Sequence, residues 1–300
     1  MKKKGRKQSK VVENKFPTLG ELYRRRIKFV LSSKNYICSI ILFFFIASLI
    51  GFFLNNFVDD MFQNLFKVSI NESLINYFKE LVASTEGMNQ LQITSFIFIN
   101  NFSSSLGGLM FGVFFGLYPL IGSIVNGYII GFVLGASLLV RDSPSLIELV
   151  VFKLLPHGIF ELPAVFISLG LGLKIGTYQL SLKNKSKGFT SFVLSMFIFL
   201  VIFSVFSFIL YSLFSMGGNF DAQSISESPF FTFLILFVFI FSFMMSTFFG
   251  NLSLSEKERK IIFSNLKIYL IESLYVFFLI VLPLLIIAAI IEGSLVFLFS

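Results

Sequence analysis

Apolar positions in this chain fall in long unbroken runs. Seven of them, about 36–58, 94–118, 120–140, 146–173, 189–215, 229–250 and 268–291, match the roughly 20 residues that span a hydrocarbon core. The pattern predicts an all-α polytopic membrane protein, a bundle of about seven transmembrane helices. It lacks the alternating segments that mark a β-barrel. The organisation expected is a basic cytoplasmic segment with an interfacial helix over 1–35, then a single transmembrane domain over 36–300.

Two stretches outside the runs have helical periodicity. "TLGELYRRRIKFVL" opens with Thr18 and Glu21 at capping-box spacing and interleaves apolar with basic residues, as interfacial helices do. In the extracytoplasmic segment 59–93, Met61, Phe62, Leu65, Phe66, Ile70, Leu74, Tyr77, Phe78 and Leu81 follow a 3.6 period. They predict an amphipathic helix that lies on the outer surface or covers the bundle.

The second and third runs carry small residues every four positions: Ser104, Gly108, Gly112, Gly116, then Ser123, Gly127, Gly131, Gly135. That spacing lines each set along one helix face. Lipid gives helices no hydrophobic drive to pair, so small residues supply close backbone contact instead. The expectation is a glycine-ridged helical hairpin, tightly turned at Pro119, with each ridge packed on the other. A substrate groove lined by bare backbone is the alternative. Three amides, Asn100, Asn101 and Asn126, stand on this hairpin as interhelical hydrogen bonders or as ligands to an ion.

The fourth run contains "LLPHGIFELPAVF". Lys153, His157 and Glu161 are four apart and would share a helix face. Pro156 and Pro163 each remove a backbone donor, so a proline-broken fourth span is expected, with Gly158 allowing close approach. Ionisable groups at membrane depth are costly and point to function. Two readings stand: a polar lock between helices, or a proton or ion site. One His and one Glu are too few for a metal. In the last run, Pro283 predicts a kink, Glu292 marks the outer edge and Glu272 the inner interface.

Composition narrows the classes. Only 13% of the 300 residues are charged, against roughly 25% in ordinary globular domains. Half of the 24 Lys and Arg lie in residues 1–35. A basic tail beside a span points to cytoplasmic retention and anionic lipid; no folded basic domain supports nucleic acid. Basic connecting segments at 174–188 and 251–267 alternate with acidic ones at 59–93 and 216–228. The positive-inside rule then puts the N-terminus in the cytoplasm and the C-terminus outside. The long basic stretch and span-length run argue against a cleaved signal. Cys38 is the single cysteine, which excludes an intrachain disulfide. No Walker, HExxH, GxSxG or CxxC motif occurs, so neither an enzyme nor a cofactor is expected.

"INNF…GG…FGVFFG…NGYIIGFVLG", then "LPHGIFELPA" and "GLGLKIG", resembles the stage II sporulation protein M family of integral membrane proteins. The resemblance covers about 99–176, within a family-like core drawn over 94–176, and extends more weakly to "LLIIAAIIEG" in 266–293. The hairpin at 189–250 has no counterpart in it. The motif positions carried over are Asn100, Asn101, Gly112, Gly116, Asn126, Gly127, Gly131, His157, Gly158, Glu161 and Glu292. The resemblance implies a cell-membrane scaffold. In spore-forming bacteria it gathers peptidoglycan-degrading partners during engulfment. A transporter or channel component using His157 and Glu161 is the other reading, and self-association is a further candidate.

Overall fold

A computed structural model describes residues 18–137, 155–216 and 229–299. They form eleven α-helices: α1 (Leu19–Ser32), α2 (Lys34–Phe53), α3 (Asn55–Phe66), α4 (Ile70–Thr85), α5 (Gln90–Met110), α6 (Leu117–Ser137), α7 (Leu155–Gly176), α8 (Lys185–Met216), α9 (Pro229–Gly250), α10 (Glu256–Val276) and α11 (Leu282–Phe299). Among the described residues, seven stretches are long and apolar enough to cross a membrane: Lys34–Phe53, Gln90–Val113, Leu117–Ala136, Gly158–Gly176, Lys185–Ser212, Phe231–Gly250 and Glu256–Leu298. The chain is a multi-pass membrane protein.

α7 is the most buried span and forms the axis of the bundle. It touches α2, α5, α6 and α11. Its Leu171 and Ile175 join Leu109 of α5 and Leu285 of α11 in the main apolar core. The long side chains that remain exposed, such as Phe45, Phe197, Phe208 and Phe237, lie along the outer faces of spans, where lipid is the solvent.

The small residues pack differently from the expected hairpin. α5 and α6 make little contact with each other; α6 lies along α2, and α5 lies against α7 and α11. A Cβ at Gly127 would fall on the Phe44 carbonyl, and one at Gly131 on the Ser48 carbonyl, both in α2. At Gly135 it would meet the Phe52 oxygen at 2.8 Å. On α5, a Cβ at Gly108 would strike Leu169 of α7. Just beyond α5, one at Gly112 would strike the Gly172 carbonyl. Ser123 donates to the Ile40 carbonyl at 2.8 Å, and Ser168 of α7 to the Ser105 carbonyl at 2.7 Å. Ser104, one residue from Ser105, is exposed. Spacing fixes which residues share a face; it does not fix which helix that face meets.

The turn between α5 and α6 lies before Pro119. Phe115 and Gly116 take left-handed φ values of 57° and 70°. Gly116 does so freely, but a phenylalanine there is strained. Its ring is held by Phe192, Phe199 and Phe243 of the α8–α9 hairpin, with centroids 6.0, 5.7 and 5.4 Å away. Pro119 sits in the first turn of α6, where a missing N–H costs nothing.

Two further expectations are corrected. α7 runs as one helix through Pro163, so the fourth span is not broken there. At Pro283, where a kink is expected, a π-helical segment, Phe277–Val281, precedes the proline. Proline's ring and absent N–H disturb the preceding turn, and one wide turn absorbs this while α10 and α11 remain a 43-residue rod. The amphipathic stretch in 59–93 is two helices, because Lys67 adopts φ 59° and ends α3. Asp59 then accepts from the Asn71 N–H at 2.9 Å and the Ser69 hydroxyl at 3.0 Å, tying α4 back to α3.

Candidate functional site

Polar groups gather at three places in the bundle. At one end, Glu161 in the early turns of α7 and Glu292 of α11 are both half-buried, and their carboxylates lie within electrostatic reach of each other. The neighbouring Gly293 abuts Thr94 of α5, and Gln90 donates to the Ser294 hydroxyl at 3.1 Å. The structure therefore brings together two acids 131 residues apart in the sequence. His157 lies in the first turn of α7, one helical turn before Glu161, but its side chain and Lys153 fall outside the described residues. Among the described residues, a would-be Cβ at Gly158 meets only Leu162 of its own helix, and no other backbone approaches it closely.

Among the described residues, no hydrogen bond links the three amides to Glu161 or Glu292. Asn126 is exposed and donates back to the Gly122 carbonyl of its own helix at 2.8 Å. Asn100 is exposed and Asn101 half-buried. Because α6 turns its Gly127–Gly131–Gly135 face to α2, the preceding Asn126 points away from that contact.

The opposite end of α7 carries a second cluster to which residue spacing gives no clue. Lys174, the first residue of the basic 174–188 segment, is buried within the last turn of α7. Its ammonium donates to Ser33 Oγ at 2.8 Å and lies 4.1 and 4.8 Å from the ring centroids of Phe29 and Tyr269. Aromatic faces and a hydroxyl replace the water it has lost. Beside it, the buried Arg26 of α1 forms an ion pair with Glu272 of α10 and covers the Tyr275 ring at 4.3 Å. Burial lowers the Arg26 pKa, Arg25 adds to that effect, and Tyr275 opposes it. Glu272 is thus a partner in a helix–helix ion pair rather than a free interfacial acid.

A third cluster holds the α8–α9 hairpin to the core. Gln179 Nε2 donates to Asn251 Oδ1 and Ser195 Oγ, each at 3.0 Å, and Ser191 Oγ donates to Asn251 Oδ1 at 2.7 Å. All four residues are buried. One missed signal was legible: Ser168, Gly172 and Gly176 repeat the spacing of four, and Cβ atoms at both glycines would strike the α5 side of the interface.

Among the described residues, no group of three or more His, Cys, Asp and Glu could hold a metal ion. A family model described as stage II sporulation protein M matches residues 40–216, more than half of the chain. The chain belongs to that family. The matched stretch starts in α2 and runs through α8, so it includes the first arm of the 189–250 hairpin. It includes Glu161 and the glycines of α5–α7, while Glu292 lies beyond it. No curated protein and no solved structure matches the chain.

Proposed function

We propose that this member of the stage II sporulation protein M family is a non-enzymatic membrane scaffold that recruits envelope or membrane partners. In spore-formers these would be the peptidoglycan-degrading engulfment machinery. The observation that carries this reading is the α3–α4 pair. It packs on itself and on the end of α2, yet leaves Phe57, Leu65, Phe66 and Ile75 exposed. A preformed apolar surface outside the spans fits a docking role. The segregation of basic segments supports a cytoplasmic N-terminus and an extracytoplasmic C-terminus, which would put α3–α4 on the envelope side.

The test is a mild-detergent pull-down of the tagged full chain from its native membrane, beside the variant Phe57→Ser/Leu65→Ser/Phe66→Ser. A near-stoichiometric envelope protein that is retained by the wild type and lost by the variant supports the scaffold. Equal recovery from both would remove the docking role of α3–α4.

The nearness of Glu161 and Glu292 favours a second reading, a transport component. It predicts that Glu161→Gln abolishes solute or proton flux in proteoliposomes while the protein stays folded. Unchanged flux would sink it.

A further inference from the structure

α1 has three faces. One is docked: Arg26 reaches Glu272, while Phe29 and Ser33 enclose the Lys174 ammonium. The second is an apolar stripe, Leu19, Tyr23, Ile27 and Leu31, spaced by four and exposed, with Leu19 at 66% and Leu31 at 62%. The third carries Arg24, Arg25 and Lys28, all exposed, with Glu21 as the one acid of the helix.

Two independent features fix the level of this helix. Ser33 alone separates it from α2, whose span begins at Lys34. On its docked side it meets α10 at Glu272 and Tyr275, where "EKERK…" has given way to the unbroken apolar run starting at Val276. Both neighbours place α1 where polar sequence turns apolar, which is where a bilayer's headgroups lie.

We infer that α1 is a docking surface for an anionic lipid leaflet. The Leu19–Tyr23–Ile27–Leu31 stripe enters the acyl boundary, and Arg24, Arg25 and Lys28 lie against lipid phosphates. Apolar area supplies insertion and the cations supply charge complementarity, the combination that interfacial helices use. The Arg26–Glu272 pair holds the helix at the bundle, so its apolar stripe is presented at a fixed level. This reading does not depend on the scaffold proposal.

The test uses the full chain with Cys38→Ser and a fluorophore on Ile27→Cys, in nanodiscs of phosphatidylcholine with and without phosphatidylglycerol. Lipid-borne and aqueous quenchers report what covers position 27. The expected result is quenching from lipid that strengthens with phosphatidylglycerol and weakens with salt. Arg24→Gln, Arg25→Gln and Lys28→Gln should each lower the inserted-to-exposed ratio, on the order of five-fold per cation. These residues are exposed, so unfolding temperatures should match the parent; the salt series needs no charge variant. Three outcomes would overturn the proposal: access by the aqueous quencher in anionic discs, shielding from both quenchers by a second copy or another protein, or lipid contact indifferent to phosphatidylglycerol, salt and charge.

Discussion

Gly131 of α6 sits directly against the Ser48 carbonyl of α2, with no room between them for a Cβ. With Gly127 against Phe44 and Gly135 against Phe52, it lets two spans approach backbone to backbone along three successive turns. Dispersion then does in lipid what burial does in water. Gly131→Ala is expected to destabilise the bundle by roughly 1–3 kcal/mol through overpacking. Gly122→Ala, in the same helix, would meet its nearest neighbour, Leu169, only at 3.9 Å and is expected to be neutral or stabilising. Detergent unfolding curves of the two variants check the contrast; equal losses would mean that helix propensity rather than contact decides.

The Arg26–Glu272 pair joins α1 to the final rod. Removing one partner strands a charge, whereas removing both does not. Arg26→Met is expected to cost about 1–3 kcal/mol, less than a fully buried pair; the Glu272 side chain keeps 23% of its exposure. Arg26→Met/Glu272→Met should recover part of that loss. A double-mutant cycle with zero coupling would show that the pair does not hold α1 in place.

Asn251 Oδ1 accepts from both Gln179 and Ser191. Asn251→Leu therefore removes one acceptor from each of two buried donors, which keep Ser195 Oγ and the Gly250 carbonyl as their other partners, at roughly 0.5–1.5 kcal/mol per lost bond. Gln179→Met leaves the Ser191–Asn251 bond intact and is expected to cost less. Thermal unfolding, with limited proteolysis of the α8–α9 hairpin, orders the two variants. The reverse order would displace Asn251 as the centre of the network.

Asp59 has a lowered pKa, chiefly because the Asn71 N–H donates to it, with Ser69 and Gln63 adding bonds. The unfolded carboxyl titrates near about 3.9. Since the folded value lies lower, Asp59's contribution is complete above that pH and is lost as pH falls through the folded value. Amide exchange in α4 should accelerate as the pH falls below about 4, after correction for intrinsic rates. Asp59→Asn should show faster exchange at pH near 7 and a flatter profile. An unchanged profile in the variant would remove Asp59 as the tie between α3 and α4.

Much of this protein was legible in its residues. Apolar run length gave seven spans because the hydrocarbon core imposes one length on every helix that crosses it. Thr18 and Glu21 marked the start of α1, since a capping box uses only neighbours in sequence. The paired motifs in residues 99–176 pointed to the family that the match over 40–216 then showed. These are local or one-dimensional properties.

Contacts between distant segments were not legible. Four-residue spacing showed that Gly127, Gly131 and Gly135 share a face, but that periodicity is identical whichever helix fills the groove, and α2 fills it rather than α5. Nothing near Glu161 in sequence announces Glu292, and nothing near Arg26 announces Glu272; each pair forms only when the last rod packs beside α7 and α1. Pro163 lies within an intact helix while Pro283 follows a π turn. Residue order and pattern are enough to mark the segments long and apolar enough to cross a membrane and the residues that line each helix face. Which faces meet depends on the folded bundle, because in lipid that choice rests on shape and hydrogen bonding between surfaces far apart in the chain.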